Sequence, residues 1–143
     1  MKSKIKSKIE SSLRNAKLRR TRARAAILKV LIAAKEPLNQ VQIAKKIGKP
    51  KPNKVTIYRT LKNLIDAGVV HQAFLRERTW HFELAENCTD TQCHPHFTCI
   101  GCGRIHCLIG INVPMVTAEH KGFVINRQQV RLEGLCPNCN QAG

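Results

Sequence analysis

Apolar residues recur at helical spacing through the first half of the chain. Ile5, Ile9 and Leu13 lie four apart, and Ala23, Ile27, Val30, Leu31 and Ala34 resume the rhythm after Thr21, so residues 5–35 read as helix until Pro37. Asn39 is placed to cap a short helix carrying Val41, Ala44 and Ile47, which Gly48 and the turn Lys49-Pro50-Lys51-Pro52-Asn53 close. A third helix is predicted from about Asn53 to Ala67-Gly68, with Ile57, Tyr58, Leu61, Leu64 and Ile65 on its apolar stripe. Lys54, Arg59, Lys62 and Asn63 lie mostly off that stripe. From Val69 the period changes to that of a strand. VVHQAFL and TWHFEL read as two strands joined by a charged turn, a wing beside the last helix, with Trp80, Phe82 and Leu84 on one face and His81 and Glu83 on the other. Further on, Phe97 to Ile109 reads as strand, Gly-Cys-Gly turn and strand. Val113 to His120 reads as a short helix, and Phe123 to Leu132 as another strand pair.

The fold class is therefore α+β. The change of period near Gly68 marks the boundary, giving an N-terminal winged helix over residues 1–70, with its wing reaching about residue 84, and a small α/β unit over 85–143.

Charge separates the same two halves. The 143 residues carry 25 Lys/Arg against 9 Asp/Glu, a net +16. Residues 1–68 hold 19 basic side chains against only Glu10, Glu36 and Asp66, while residues 69–143 hold 6 of each sign, so the whole excess lies in the winged-helix half. That placement predicts a phosphate-bearing partner, double-stranded DNA, rather than a merely soluble surface. The lysine-bearing N-terminus lacks the apolar stretch of a secretory signal, and no run of eighteen apolar residues occurs. A cytoplasmic protein without a membrane partner is expected. In a reducing compartment, seven cysteines are better explained by metal than by disulfides.

Cys99-Ile-Gly-Cys102 and Cys136-Pro-Asn-Cys139 are two CxxC knuckles, together four thiolates for a closed tetrahedral zinc site. The 33 residues between them exceed the spacing of a compact ribbon, so the site would clasp the end of the chain onto its sheet. A redox role is disfavoured because neither pair reads as strand, CxxC, helix. A second group gathers His71, His81, Glu83, Cys88, Cys93, His94, His96 and Cys107. His94 and His96, separated by Pro95 on an extended segment, would point to the same side, where Glu83 from a neighbouring strand could join them. Two zinc ions per chain are expected. A zinc hydrolase with Glu83 as base is the competing reading, but no catalytic signature beyond the ligands supports an enzyme, and no small-molecule substrate other than metal is expected.

Taken in order, VTIYRTLKNLIDAGVV, HPHFTCIGCGRIHC and GFVINRQQVRLEGLCPNC closely resemble the ferric uptake regulator family of metalloregulators, over about Arg20 to Cys139, and within it the zinc uptake regulators. The resemblance implies a homodimer on a palindromic operator, its second half being the dimerisation domain. It implies that Tyr58 and Arg59, on the helix that also carries Thr56, meet the major groove, and that Arg19 approaches the backbone or minor groove. Lys51 and Lys54 would bind phosphate around them. The family's inter-domain sensing positions fall on His71, Glu83, His94 and His96. Cys88, Cys93 and Cys107 are alternates, Cys107 replacing the usual Glu of the Cys-Gly-x-x-x-Glu segment. Pro95 and Gln128 stand where many members carry metal-binding side chains, so a further family site is expected to be absent or rebuilt. Imidazole with thiolate suits zinc better than ferrous or manganous ions. An iron or peroxide sensor on the same scaffold is the alternative.

Overall fold

Three of the first four helices begin on a side chain that accepts a backbone N–H left over by the helix start. Helix α1 (Lys2–Asn15) precedes them. Thr21 accepts from Arg24 N at 3.2 Å ahead of α2 (Arg22–Ala33). Asn39 accepts from Gln42 N at 2.8 Å ahead of α3 (Gln40–Ile47), and the Gln42 carboxamide accepts from Asn39 N in return, a reciprocal capping box. Asn53 accepts from Thr56 N at 2.8 Å ahead of α4 (Lys54–Asp66). The computed structural model describes residues 2–86, 94–108, 110–116 and 121–141. They fall into two units, Met1–Glu86 and Asn87–Gly143.

In the first unit the helical stripes close on one another. Ile9 and Leu13 of α1, Ile27, Leu28 and Leu31 of α2, Ile43 of α3 and Ile57, Leu61 and Leu64 of α4 form one buried cluster. Leu38, Val70 and Phe82 join it from a three-stranded sheet of β1 (Leu38–Asn39), β2 (Val70–Arg76) and β3 (Thr79–Leu84), with β3 central and both neighbours antiparallel. The two-residue β1 is too short to leave a pattern in the sequence. Tyr58 does not belong to the buried stripe; it is 58% exposed. Next to Ile57 it lies one residue round the helix, about 100° away, far enough to leave the core.

The wing carries a bulge. His71 pairs with Glu83 and Gln72 with Phe82, but Phe74 pairs with His81, so Ala73 is the extra residue. His71, His81 and Glu83 share a sheet face, yet both histidines are buried. Phe74 stacks on His81 at 4.8 Å between centroids, and His81 Nδ1 lies 3.1 Å from the Thr79 carbonyl oxygen. Burial holds the His81 pKa below its usual value, partly offset by that carbonyl.

The second unit is built around β4 (His96–Cys99), flanked by antiparallel β5 (Ile105–Cys107) and parallel β6 (Arg131–Gly134). A short α5 (Pro137–Gln141) follows. Two expectations fail here. Residues 113–116 are not helical, and 117–120 lie outside the described residues. The expected strand pair over Phe123 to Leu132 is present only in fragments, as isolated bridge residues at Phe123 and Gln128 and the start of β6 at Arg131. The missing regularity has a visible substitute: the Gln128 carboxamide accepts from Val116 N at 2.9 Å and donates to the Pro114 carbonyl at 3.1 Å, satisfying backbone groups that no regular element pairs there.

Asn53→Ala removes the cap of α4 and should lower stability by about 1 kcal/mol, whereas Asn53→Asp should retain most of it. Urea unfolding midpoints of the two variants check this, and equal losses would mean that the cap contributes nothing.

Candidate metal centres and nucleic-acid surface

The four knuckle cysteines arrive from two directions. Cys99 ends β4, and the turn that follows is pinned by Ile100 N donating to the Gly134 carbonyl and Gly103 N to the Cys99 carbonyl, each at 2.8 Å. Gly103 takes φ 75°, where a side chain would be strained. Cys136 follows β6 and Cys139 sits on α5. All four Sγ atoms lie within 4.8 Å of one another, Cys102 and Cys136 at 3.9 Å. Tetrahedral zinc with Zn–S bonds of about 2.3 Å needs sulfurs about 3.8 Å apart, so a small contraction fits the ion. A Cβ at Gly101 would lie 3.1 Å from Cys139 Sγ and 3.3 Å from Leu135 Cδ2, so a side chain in the turn would press on a sulfur of the site.

The sulfurs are electrostatically unequal. Backbone N–H groups of Cys136, whose donor stands 3.3 Å from Cys99 Sγ, and of Cys102 hold the Cys99 thiol down at about 6. Hydrogen bonds with Cys136, Cys99 and Cys102 push Cys139 up to about 12, because it holds a proton the other sulfurs share. A divalent cation is what replaces such shared protons. One premise of the sequence reading needs correcting: Cys136-Pro-Asn-Cys139 does follow a strand and enter a helix. What argues for metal is that each knuckle meets the other, sulfur to sulfur, rather than standing alone.

A second donor group lies in the same unit. His96 and Cys107 are direct cross-strand partners on β4 and β5, and His94 precedes β4 by two residues. One ligand atom from each of the three lies within 4.8 Å of the others, and the two imidazoles stand 5.0 Å apart. Cys88 and Cys93 lie outside the described residues. In the first unit, His71 Nε2 and Glu83 Oε1 are 2.6 Å apart across β2 and β3, both nearly buried.

Among the DNA candidates Arg19, Lys51, Lys54, Tyr58 and Arg59 are exposed, and Thr56 is half-buried. Two residues missed in the sequence organise them. The Arg24 guanidinium donates to Asn63 Oδ1 at 2.7 Å and to the Arg19 carbonyl at 2.5 Å, fastening the basic segment before α2 to α4. Gln40 Nε2 donates to the Lys54 carbonyl at 3.1 Å, which joins α3 to the first turn of α4. Neither interaction leaves a local signal, since each joins separate elements.

Residues 15–133 match the ferric uptake regulator family. Transcriptional regulator FurA of Mycobacterium tuberculosis is 28% identical over 134 residues, 90% of this chain and 87% of that protein. Peroxide-responsive repressor PerR of Staphylococcus saprophyticus is 29% identical over 137 residues, with the same coverage of 90% and 87%. In fold, the chain is similar to a zinc uptake regulator complexed with zinc and DNA, at TM-score 0.68 and 20% identity over 98% of this chain and 95% of that one. With the fold, the clustered metal donors and a family match over most of the sequence in agreement, the chain belongs to the ferric uptake regulator family of metal-responsive, DNA-binding transcriptional regulators, and not to the enzymes.

Proposed function

We propose that this protein is a zinc-dependent repressor of metal-uptake genes, a cytoplasmic homodimer that binds a palindromic operator. The reading is carried by the donor set of the second unit, two imidazoles and a thiolate grouped beside a four-thiolate site. Such nitrogen and sulfur donors suit zinc, whereas ferrous and manganous sites favour oxygen. Cys99, Cys102, Cys136 and Cys139 hold one structural zinc per protomer. His71, Glu83, His94 and His96, with Cys88, Cys93 or Cys107 as further donors, hold a regulatory one. The winged helix spans 1–70 with its wing to about 84, and the dimerisation domain 85–143. Exposed Phe123, Val124, Ile125 and Leu135 give the latter an apolar surface suited to a second copy.

Regulatory zinc would fix the angle between the two winged helices of the dimer. Paired recognition helices must reach successive major-groove faces about 34 Å apart, so an unfixed hinge weakens binding. Coupling of about 1–3 kcal/mol is typical of such a switch, and linkage requires DNA to tighten zinc by the same factor. A second reading, an iron or peroxide sensor, is favoured by the names of the relatives at 28–29% identity. Metal content of protein isolated from cells, and DNA binding after peroxide treatment, separate the two.

Arg59→Ala should weaken operator binding by about 1–3 kcal/mol and relax preference at one base pair per half-site. Equal loss on every sequence would make Arg59 a phosphate contact only. Lys51→Ala and Lys54→Ala should each reduce the slope of log K against log salt by about 0.9, and an unchanged slope would remove that residue from the interface.

The two metal sites should fail differently. Cys136→Ser should give a destabilised or monomeric protein, seen by sedimentation and thermal melting. His96→Ala should remain a folded dimer holding about one zinc per chain, with poor DNA binding that added zinc does not improve. His71→Ala should likewise lose the zinc response. Zinc titration against a labelled operator decides: a wild-type response in both histidine variants refutes the sensing assignment, and collapse of the His96→Ala dimer means the roles are exchanged.

A further inference from the structure

The exposed large apolar side chains of the first unit are not scattered. They are Val41, Val55, Tyr58, Leu75 and Trp80, and none belongs to the buried cluster. Val55 and Tyr58 lie on α4, and Val41 in the first turn of α3, whose Gln40 is bonded to the Lys54 carbonyl. β1 runs straight into α3, and its register against β3, Leu38 to Phe82 and Asn39 to His81, carries the chain towards Trp80 as it reaches Gln40. Trp80 in turn is the direct partner of Leu75 on β2, so the two side chains share a face, 39% and 50% exposed. The five residues therefore mark one route over the surface, from α4 through the start of α3 to the wing.

The tip of the wing is built against local preference. Arg76 pairs with Thr79, which leaves Glu77 and Arg78 as a two-residue turn, and both take positive φ, 49° and 63°. Such turns favour Asn and Gly, and strain of this kind is kept where the side chains it presents are used. Here it presents an exposed cation, since Arg78 has no hydrogen bond or ion pair among the described residues. Apolar side chains beside an arginine are the composition with which proteins enter the minor groove: its negative potential draws the guanidinium, and the apolar groups pack on sugars and base edges. The basic excess of this half of the chain selects the same partner.

We propose that the wing is a second DNA-reading element, in which Leu75 and Trp80 pack into the minor groove beside the half-site that α4 reads, and Arg78 enters the same groove from the tip. The proposal rests on the operator binding proposed above and extends it to the opposite groove. There A·T and G·C pairs are told apart chiefly by the guanine amino group, which obstructs a side chain at the floor of the groove. The wing therefore favours A·T pairs flanking each half-site, at positions that α4 does not touch.

Trp80 is the single tryptophan of the chain, so the emission of the unmodified full-length protein reports on the wing alone. The zinc-loaded protein is first used to select a duplex from a randomised pool. Adding that duplex should shift the emission to shorter wavelength and lower its quenching by acrylamide. Arg78→Gly relieves the positive φ, so its melting temperature should be unchanged or higher, yet it should bind the duplex about tenfold more weakly. A turn with only a structural role would lose no affinity. Changing the flanks of the selected duplex to G·C should weaken binding, and inosine in place of those guanines, which removes the minor-groove amino group, should restore it; Trp80→Ser should be indifferent to both changes. Emission unaltered by the duplex, or Arg78→Gly binding as the wild type does, overturns the proposal while operator binding through α4 stands. Emission that shifts with protein concentration in the absence of DNA puts a second copy on the wing and overturns it as well. If the pool yields no enriched sequence, operator binding falls and the wing assignment with it. If the emission shifts as expected but binding is the same after mild chelation, the wing assignment stands and the zinc switch falls.

Discussion

The second unit depends on sulfur because it has little else to bury. Among its described residues the fully or nearly buried side chains are Pro95, His96, Cys99, Ile105 and Cys136, against a cluster of thirteen hydrophobic residues in the first unit. A sheet of three- and four-residue strands with so small an apolar interior is not stable by burial alone. The four-cysteine cluster at its end is placed to add cohesion once it holds an ion, and the exposed apolar surface around Phe123 to Ile125 offers area for a second copy to cover. Everything the unit does is organised from β4. Its first residue, His96, belongs to one donor group and its last, Cys99, to the other, so a single four-residue strand positions side chains in both.

The first unit was legible because its signals are local. Asn39, Gln42 and Asn53 announce helix starts through contacts three residues away, and the apolar stripes of α2 and α4 lead directly to the core. The four cysteines were equally readable, since two CxxC pairs specify a site whatever lies between them. Long-range relations escaped. The parallel pairing of β4 with β6 joins residues 35 apart in sequence, and the Gln128 bridge to residues 114–116 replaces the regular structure that periodicity suggested there. Tyr58 was assigned to the wrong side of α4 because an aromatic beside a true core residue looks apolar in a pattern, although its phenol has a use in solvent. The burial of His81 leaves no local signal, because the ring that stacks on it is Phe74, which the bulge at Ala73 sets opposite it.

Arg24 spends its guanidinium on Asn63 and the Arg19 carbonyl instead of on phosphate. It thereby stiffens the approach of the arginine-rich segment to α4, and a stiff approach is what lets phosphate contacts fix register while other side chains read bases.

The mixed sheet also governs how the unit is assembled. A strand pairing in parallel with one that follows it by dozens of residues cannot form by zipping outward from a tight turn; the intervening chain must first be brought round, and its loop entropy is lost before any ladder bond is gained. The hairpin of β4 and β5, closed by the turn around Gly101, can form early, and it carries half the sulfurs. Capture of a cation by Cys99 and Cys102 would then give the later segment bearing Cys136 and Cys139 a target that binds it on arrival, converting a slow search for register into ligand exchange. On this account a bound ion would act as a folding catalyst for β6 as well as its clasp, and the rate at which the protein matures would follow the supply of that ion.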